Sequence, residues 1–270
     1  VQDLALTLMV VVIMASVGLE LRPADLKAGL ERRGAVAGAV LVNLILVPLL
    51  TLAAARLAGL DQGFTLGLLL CAASPGAPAG PMFARLVGGA LGFATALMVL
   101  LGVLALATAP LTLALATGAG TDGALLGAMS GTLASVQLLP LALGIALRAR
   151  RPDLADRLAR PTRLAGNLML LLVVVGMLIA RGDALLRVPP ALHALIIGGE
   201  ALVLLPPALL PRDEGLLRGA AMVTAARNVS LALLLSGRFF EDPHTDLAVL
   251  VCGFWMIALP GAVGAWGGRR

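Results

Sequence analysis

Gly215-Leu-Leu-Arg-Gly-Ala-Ala-Met-Val-Thr-Ala-Ala-Arg-Asn-Val-Ser-Leu-Ala-Leu-Leu-Leu235 is apolar and long enough to cross a bilayer, yet it carries Arg227 near its middle. At 1.5 Å per residue that arginine lies about 18 Å from the start of the segment, too deep for easy snorkelling. A guanidinium at mid-bilayer costs at least about 2.5–3.5 kcal/mol on insertion scales. It is therefore expected to face a polar cavity or a partner. The alternative is a purely structural ion pair.

Apolar runs of this kind recur from end to end. The 270 residues are 60% hydrophobic and 13% charged, with a mean hydropathy of +1.01. A soluble domain carries about 25% charged residues, and about 20 apolar residues span a hydrocarbon core. The fold class expected is an all-α polytopic membrane protein, embedded in the lipid bilayer. The first apolar run flows into Gly18-Leu-Glu-Leu21 without a small-residue cleavage site, so it is expected to stay as a span. The net charge of +5 resides in connecting loops rather than on one face, which speaks against nucleic acid as a partner. Cys71 and Cys252 lie in different apolar segments and read as buried structural thiols.

Nine transmembrane helices are expected, at about 3–21, 34–58, 62–85, 90–117, 124–147, 164–181, 190–211, 215–237 and 244–266. On this layout fifteen Lys and Arg fall on one side, including Arg22, Arg32, Arg85, Arg163, Arg212, Arg269 and Arg270. The other side holds Arg56, Arg181, Arg187 and Arg238. The positive-inside rule then places the N-terminus outside and the C-terminus in the cytoplasm. The longest hydrophilic stretch, Arg148 to Arg163, reads as a cytoplasmic loop dividing the chain.

The two parts repeat in order. Leu6-Thr-Leu-Met-Val-Val-Val-Ile-Met14 has an echo in Asn167-Leu-Met-Leu-Leu-Leu-Val-Val-Val-Gly-Met177, and Pro48 has one in Pro206-Pro207. Helix three is interrupted at Ser74-Pro-Gly-Ala-Pro-Ala-Gly-Pro81, where prolines remove donors and clash with the preceding turn. Helix eight carries Arg227-Asn228. Each pair is offset by five helices, an odd number, so the repeat is inverted. Paired interruptions in inverted halves mark the midplane site of a secondary transporter.

Among the remaining ionisable groups, Glu200 in Ile196-Ile-Gly-Gly-Glu200 is the other one deep in a span. It serves either as an ion-pair partner of Arg227 or, protonated, as a proton carrier for coupling. Thr224, Asn228 and Ser230 flank Arg227, and Asn43 stands at the inverted-repeat counterpart of Glu200. Gln137 and Asn167 read as helix–helix hydrogen-bonding residues, and His193 and His244 as solvated residues near outer helix ends. Intramembrane enzymes are disfavoured: there is no HExxH, no G-x-S-x-G and no aspartate-rich motif, and no cofactor or metal is implied. A channel or a non-transporting receptor is the alternative from another class.

Six motifs in order carry a resemblance to the bile acid:sodium symporter family. They are Met14-Ala-Ser-Val-Gly-Leu-Glu-Leu-Arg-Pro-Ala-Asp-Leu26, Val42-Asn-Leu-Ile-Leu-Val-Pro-Leu-Leu50, Ser74-Pro-Gly76, Thr108-Ala-Pro-Leu111, Leu138-Leu-Pro-Leu-Ala-Leu-Gly144 and the retained Asn228. The resemblance implies one transporter unit over residues 1–270 with two crossover helices and alternating access. It also implies a core domain at about 34–117 and 190–266 and a panel domain at about 1–33 and 124–181. The family's first sodium site would fall on Gly80, Pro81, Met98 and Gly102, and its second on Val223 and Arg227, with Asn43 nearby. None but Asn43 offers a side-chain oxygen, which argues against sodium coupling by the family mechanism.

The expected function is therefore secondary transport of a small or amphipathic organic anion, with Arg227 as the anion-recognising group. Asn228, Thr224, Asn43, Pro75, Gly76 and Gly80 complete the expected substrate site, with Glu200 as the coupling residue. A bacterial inner membrane is the expected location, and a sodium-coupled bile-acid-type symporter is the alternative.

Overall fold

Prolines and glycines decide where this helical chain bends. The computed structural model describes residues 2–117, 123–185, 188–209 and 214–267; expectations resting on Arg187, Arg212, Arg269 and Arg270 lie outside them. The described residues form helices only, with no strand among them. α1 (Gln2–Glu20) leads to a short α2 (Pro23–Gly29) and then to α3 (Arg33–Leu57). α4 (Gln62–Ala72) and α5 (Ala79–Leu86) are the two halves of the interrupted third segment. α6 (Leu91–Thr117), α7 (Gly123–Arg150), α8 (Pro152–Leu185) and α9 (Pro190–Leu209) follow. A second broken pair, α10 (Gly215–Ala225) and α11 (Val229–Phe239), precedes α12 (Pro243–Gly267).

This is an integral membrane protein. Six helical segments are long and apolar enough to cross a bilayer, and Leu4–Glu20, Gln62–Ala72 and Pro190–Leu205 are shorter apolar helices. The expected total of nine spans depends on counting those three. The segment Gly215–Phe239 is 89% buried inside the protein, against 11–56% for the other five long spans. It forms the centre around which the rest are arranged.

Two local features follow from proline. α3 widens into a π-type turn at Val42–Leu46 just before Pro48, and α7 does the same at Ala134–Leu138 before Pro140. A proline donates no hydrogen bond to the preceding turn, and one extra residue relieves the clash. Each wide turn contains a buried amide, Asn43 and Gln137 respectively.

The sequence reading of Arg148–Arg163 as a loop is corrected. From Pro152 the chain is one continuous helix, α8, through Leu185, with Pro161 inside it. Pro152 sits at the first position, where a missing N–H costs nothing, and the charged residues that follow are good helix formers. Ala155 and Ala159, one turn apart, are buried against Leu19 and Leu147. Arg148 binds the Leu19 carbonyl and pairs with Asp156, tying the start of α8 to the ends of α1 and α7. High charge marked an exposed helix rather than a loop. The short α2, inside what read as a connecting loop, was likewise not anticipated.

In the interior, α1 packs on α7, α8 and α11, while α12 packs on α4, α9 and α11. The broken segments pair half to half, α4 on α11 and α5 on α10, so their interruptions meet.

Candidate functional site

At the meeting point, the backbone N–H of Asn228 donates to the Ser74 carbonyl at 2.8 Å. This bond stitches one break to the other and satisfies two of the groups that the missing helical turns set free. The Asn228 side chain caps α11, accepting from the Leu231 N–H at 3.2 Å. Arg227 extends beside it, and its Nη1 donates to the Ala72 carbonyl, the last of α4, at a long 3.4 Å. Asn43 Nδ2 donates both to the Ala39 carbonyl and to Thr224 Oγ1, each at 2.8 Å, so the wide turn of α3 is pinned to α10.

Gly76 is the hinge of the first break. Its φ is +85°, and a Cβ there would stand 2.6 Å from the Met98 carbonyl oxygen and 2.9 Å from the Gly102 nitrogen. The break thus lies directly on α6. On the far side of Gly102, Gln137 Nε2 donates to the Gly102 carbonyl at 3.2 Å. Gly80 packs against Val223, with room for a Cβ only at 3.2 Å from its Cα.

A cavity of about 1220 Å³ reaches this junction. Arg227, Asn228 and Ser230 line its buried part, and the exposed Arg22, Arg32, Arg85 and Arg163 line its open part. Glu20, also on the wall, pairs with Arg163 at 2.8 Å. Between them the wall is mostly apolar, with Ala77, Phe83, Met98 and Met256 among its residues. α5 and α11 both begin at the breaks, which directs the positive ends of two helices to this region.

Of the residues expected at the site, Arg227 and Asn228 line the cavity. Thr224, Asn43, Pro75, Gly76 and Gly80 are buried behind that wall, holding the junction together. Glu200 is also buried, on α9, with its Oε2 unpartnered. It lies within electrostatic reach of Arg227, but no salt bridge joins the two among the described residues. Asn167 lines the cavity rather than bonding helix to helix. Arg22, Arg32, Arg85 and Arg163 were read only as markers of sidedness; their convergence on one opening depends on the tertiary fold. His193 accepts a hydrogen bond from Trp255, and His244 stacks on Phe64 beside Asp61, both away from the cavity.

Residues 7–187, two thirds of the chain, match the family model described as the Sodium Bile acid symporter family. The match stops short of Glu200 and Arg227. No curated protein matches the chain.

Proposed function

The chain belongs to the sodium bile acid symporter family, and on that premise we propose that it is a secondary transporter of a small or amphipathic organic anion. The observation that carries this reading is the charge pattern of the cavity: Arg227 at its buried end and four arginines at its opening. A fixed guanidinium presents a planar fork that binds a carboxylate or sulfonate bidentately. The positive ends of α5 and α11 add to the same potential. The apolar wall suits a hydrocarbon body, and about 1220 Å³ accommodates more than a two- or three-carbon acid. Substrate would enter the arginine-rich side, cytoplasmic by the positive-inside rule. Alternating access would move α1, α7 and α8 as a panel against a core of the remaining spans.

Coupling to sodium by the family mechanism is disfavoured by the packing. Gly80 and Val223, at two of the positions where relatives hold ligands, are packed onto each other. At a third, Gly102, the neighbouring group is the Gln137 amide nitrogen, a donor rather than a cation ligand. Arg227 would repel a cation at the other site, with little screening in a low-dielectric cavity. Sodium coupling remains the second reading because five buried oxygens lack partners among the described residues, namely Asn43 Oδ1, Ser74 Oγ, Gln137 Oε1, Glu200 Oε2 and Thr245 Oγ1. Hard cations take oxygen ligands.

Uptake into proteoliposomes decides between the two. With choline replacing sodium, uptake should be unchanged, and a proton gradient should drive it through Glu200. Glu200→Gln should then transport without responding to the gradient. A steep dependence on sodium would establish the second reading. Saturation and counterflow identify a carrier rather than a channel; retained binding without flux would identify a receptor.

A further inference from the structure

α4 and α12 lie side by side in parallel register, with glycines setting their separation. A Cβ on Gly63 would collide with the Asp242 carboxylate. One on Gly67 would stand 2.5 Å from both the Ala248 Cβ and the Thr245 carbonyl oxygen. One turn further along α4 is Cys71, and one turn beyond Ala248 on α12 is Cys252. Small residues at four-residue spacing let backbones approach closely, and this row delivers the two thiols to each other. They interact directly, are free, and are only 1–2% exposed.

Their surroundings are not those of an inert core cysteine. Arg227 lies within electrostatic reach of Cys71, and Glu200 within reach of Cys252. The Ala72 carbonyl that accepts from Arg227 belongs to the residue after Cys71, so the pair sits immediately behind the cavity wall. A single buried thiol behaves as a small apolar group. Two thiols brought side by side by this packing are a preformed pair of soft ligands.

We propose that Cys71 and Cys252 form a two-thiolate site for a monovalent soft cation, copper(I) or silver(I). Thiolates select such ions over hard ones. Loading breaks two S–H bonds, forms two S–metal bonds and releases two protons to solvent through the cavity, with no electron transferred. The resulting bis-thiolate unit carries one negative charge, which the Arg227 guanidinium offsets. The site does not depend on what the protein transports.

The chain contains only these two cysteines, which makes the test direct. The full-length protein in detergent is titrated with silver nitrate in chloride-free buffer, desalted against excess glutathione, and assayed for bound silver. The wild type should keep one silver per chain. Cys71→Ser and Cys252→Ser should each lose it, since removing one arm of a two-point attachment weakens retention by about a hundredfold or more. Wild type that keeps none, or a single variant that keeps as much as wild type, overturns the proposal. X-ray absorption at the silver edge of the loaded, unmutated chain gives a second reading independent of variant folding. It should show silver held by two sulfurs; a single sulfur ligand also overturns the site.

Discussion

Arg227→Gln should abolish binding of organic carboxylates while leaving the fold intact. The guanidinium is buried, lines the cavity, and has no salt-bridge partner among the described residues. Its one hydrogen bond among the described residues is the long 3.4 Å contact with the Ala72 carbonyl. Most of its donors are thus available to a ligand. Removing one member of a buried charge pair costs about 2–5 kcal/mol, which is about a 30- to 4000-fold loss of affinity. Glutamine keeps a donor at the junction and removes a buried charge, so the melting temperature of the unliganded protein should not fall. Arg227→Lys should restore binding only in part, because an ammonium is a point donor without the planar fork. Arg85→Gln, at the exposed end of the cavity, should weaken binding by less than about fivefold, as exposed charges are well screened. The measurement is a ligand-induced thermal shift or calorimetric titration with a panel of carboxylates and sulfonates. Normal binding by Arg227→Gln would remove Arg227 from the site. Equal losses at Arg85 and Arg227 would mean that the whole cavity field, rather than one residue, recognises the anion.

The placement of Arg227 against a cavity was legible in the sequence because a deep charge in an apolar segment needs a reason. The first break was legible for a similar reason, through its prolines. Its extent was shorter than it looked. α5 already begins at Ala79, and Pro81 sits in the first turn, where backbone N–H groups have no intrahelical partner to lose. Other features depended on packing that no single segment encodes. Asn43 and Thr224 were both expected near the substrate, but their mutual bond shows that they hold α3 to α10. The arginines around the cavity are scattered along the chain from Arg22 to Arg163, and only the tertiary arrangement makes them one opening. The neighbourhood of Cys71 did leave a trace, the Gly63-x-x-x-Gly67-x-x-x-Cys71 row. Its partner on α12 could not be named without the register between the two helices. Arg148–Arg163 misled because charge measures exposure, and an exposed segment need not be a loop.

Gly76→Ala should be a severely damaging single-methyl change, because it combines backbone strain with a backbone clash. At φ +85° a residue with a Cβ is strained whatever surrounds it, at a cost of about 1–3 kcal/mol. Here the new methyl would also stand 2.6 Å from the Met98 carbonyl oxygen and 2.9 Å from the Gly102 nitrogen, both backbone atoms of α6. Overpacking of this kind adds about 1–3 kcal/mol. Together the two effects consume a large share of a stability of about 5–15 kcal/mol. Relief would require the first break to retreat from α6, and that movement would pull the Ser74 carbonyl from the Asn228 N–H it accepts at 2.8 Å. Arg227, next to Asn228, would move with it. Gly76→Ala should therefore lower the melting temperature sharply in detergent, and any folded fraction should bind anions more weakly. Gly38→Ala on α3 is the matched control. A Cβ there meets nothing within 4 Å, and alanine in a helix is favoured over glycine by about 0.5–1 kcal/mol. If the two variants melt alike, the contact between the break and α6 does not hold the site. The position of Arg227 would then have to be attributed to α10 and α11 alone.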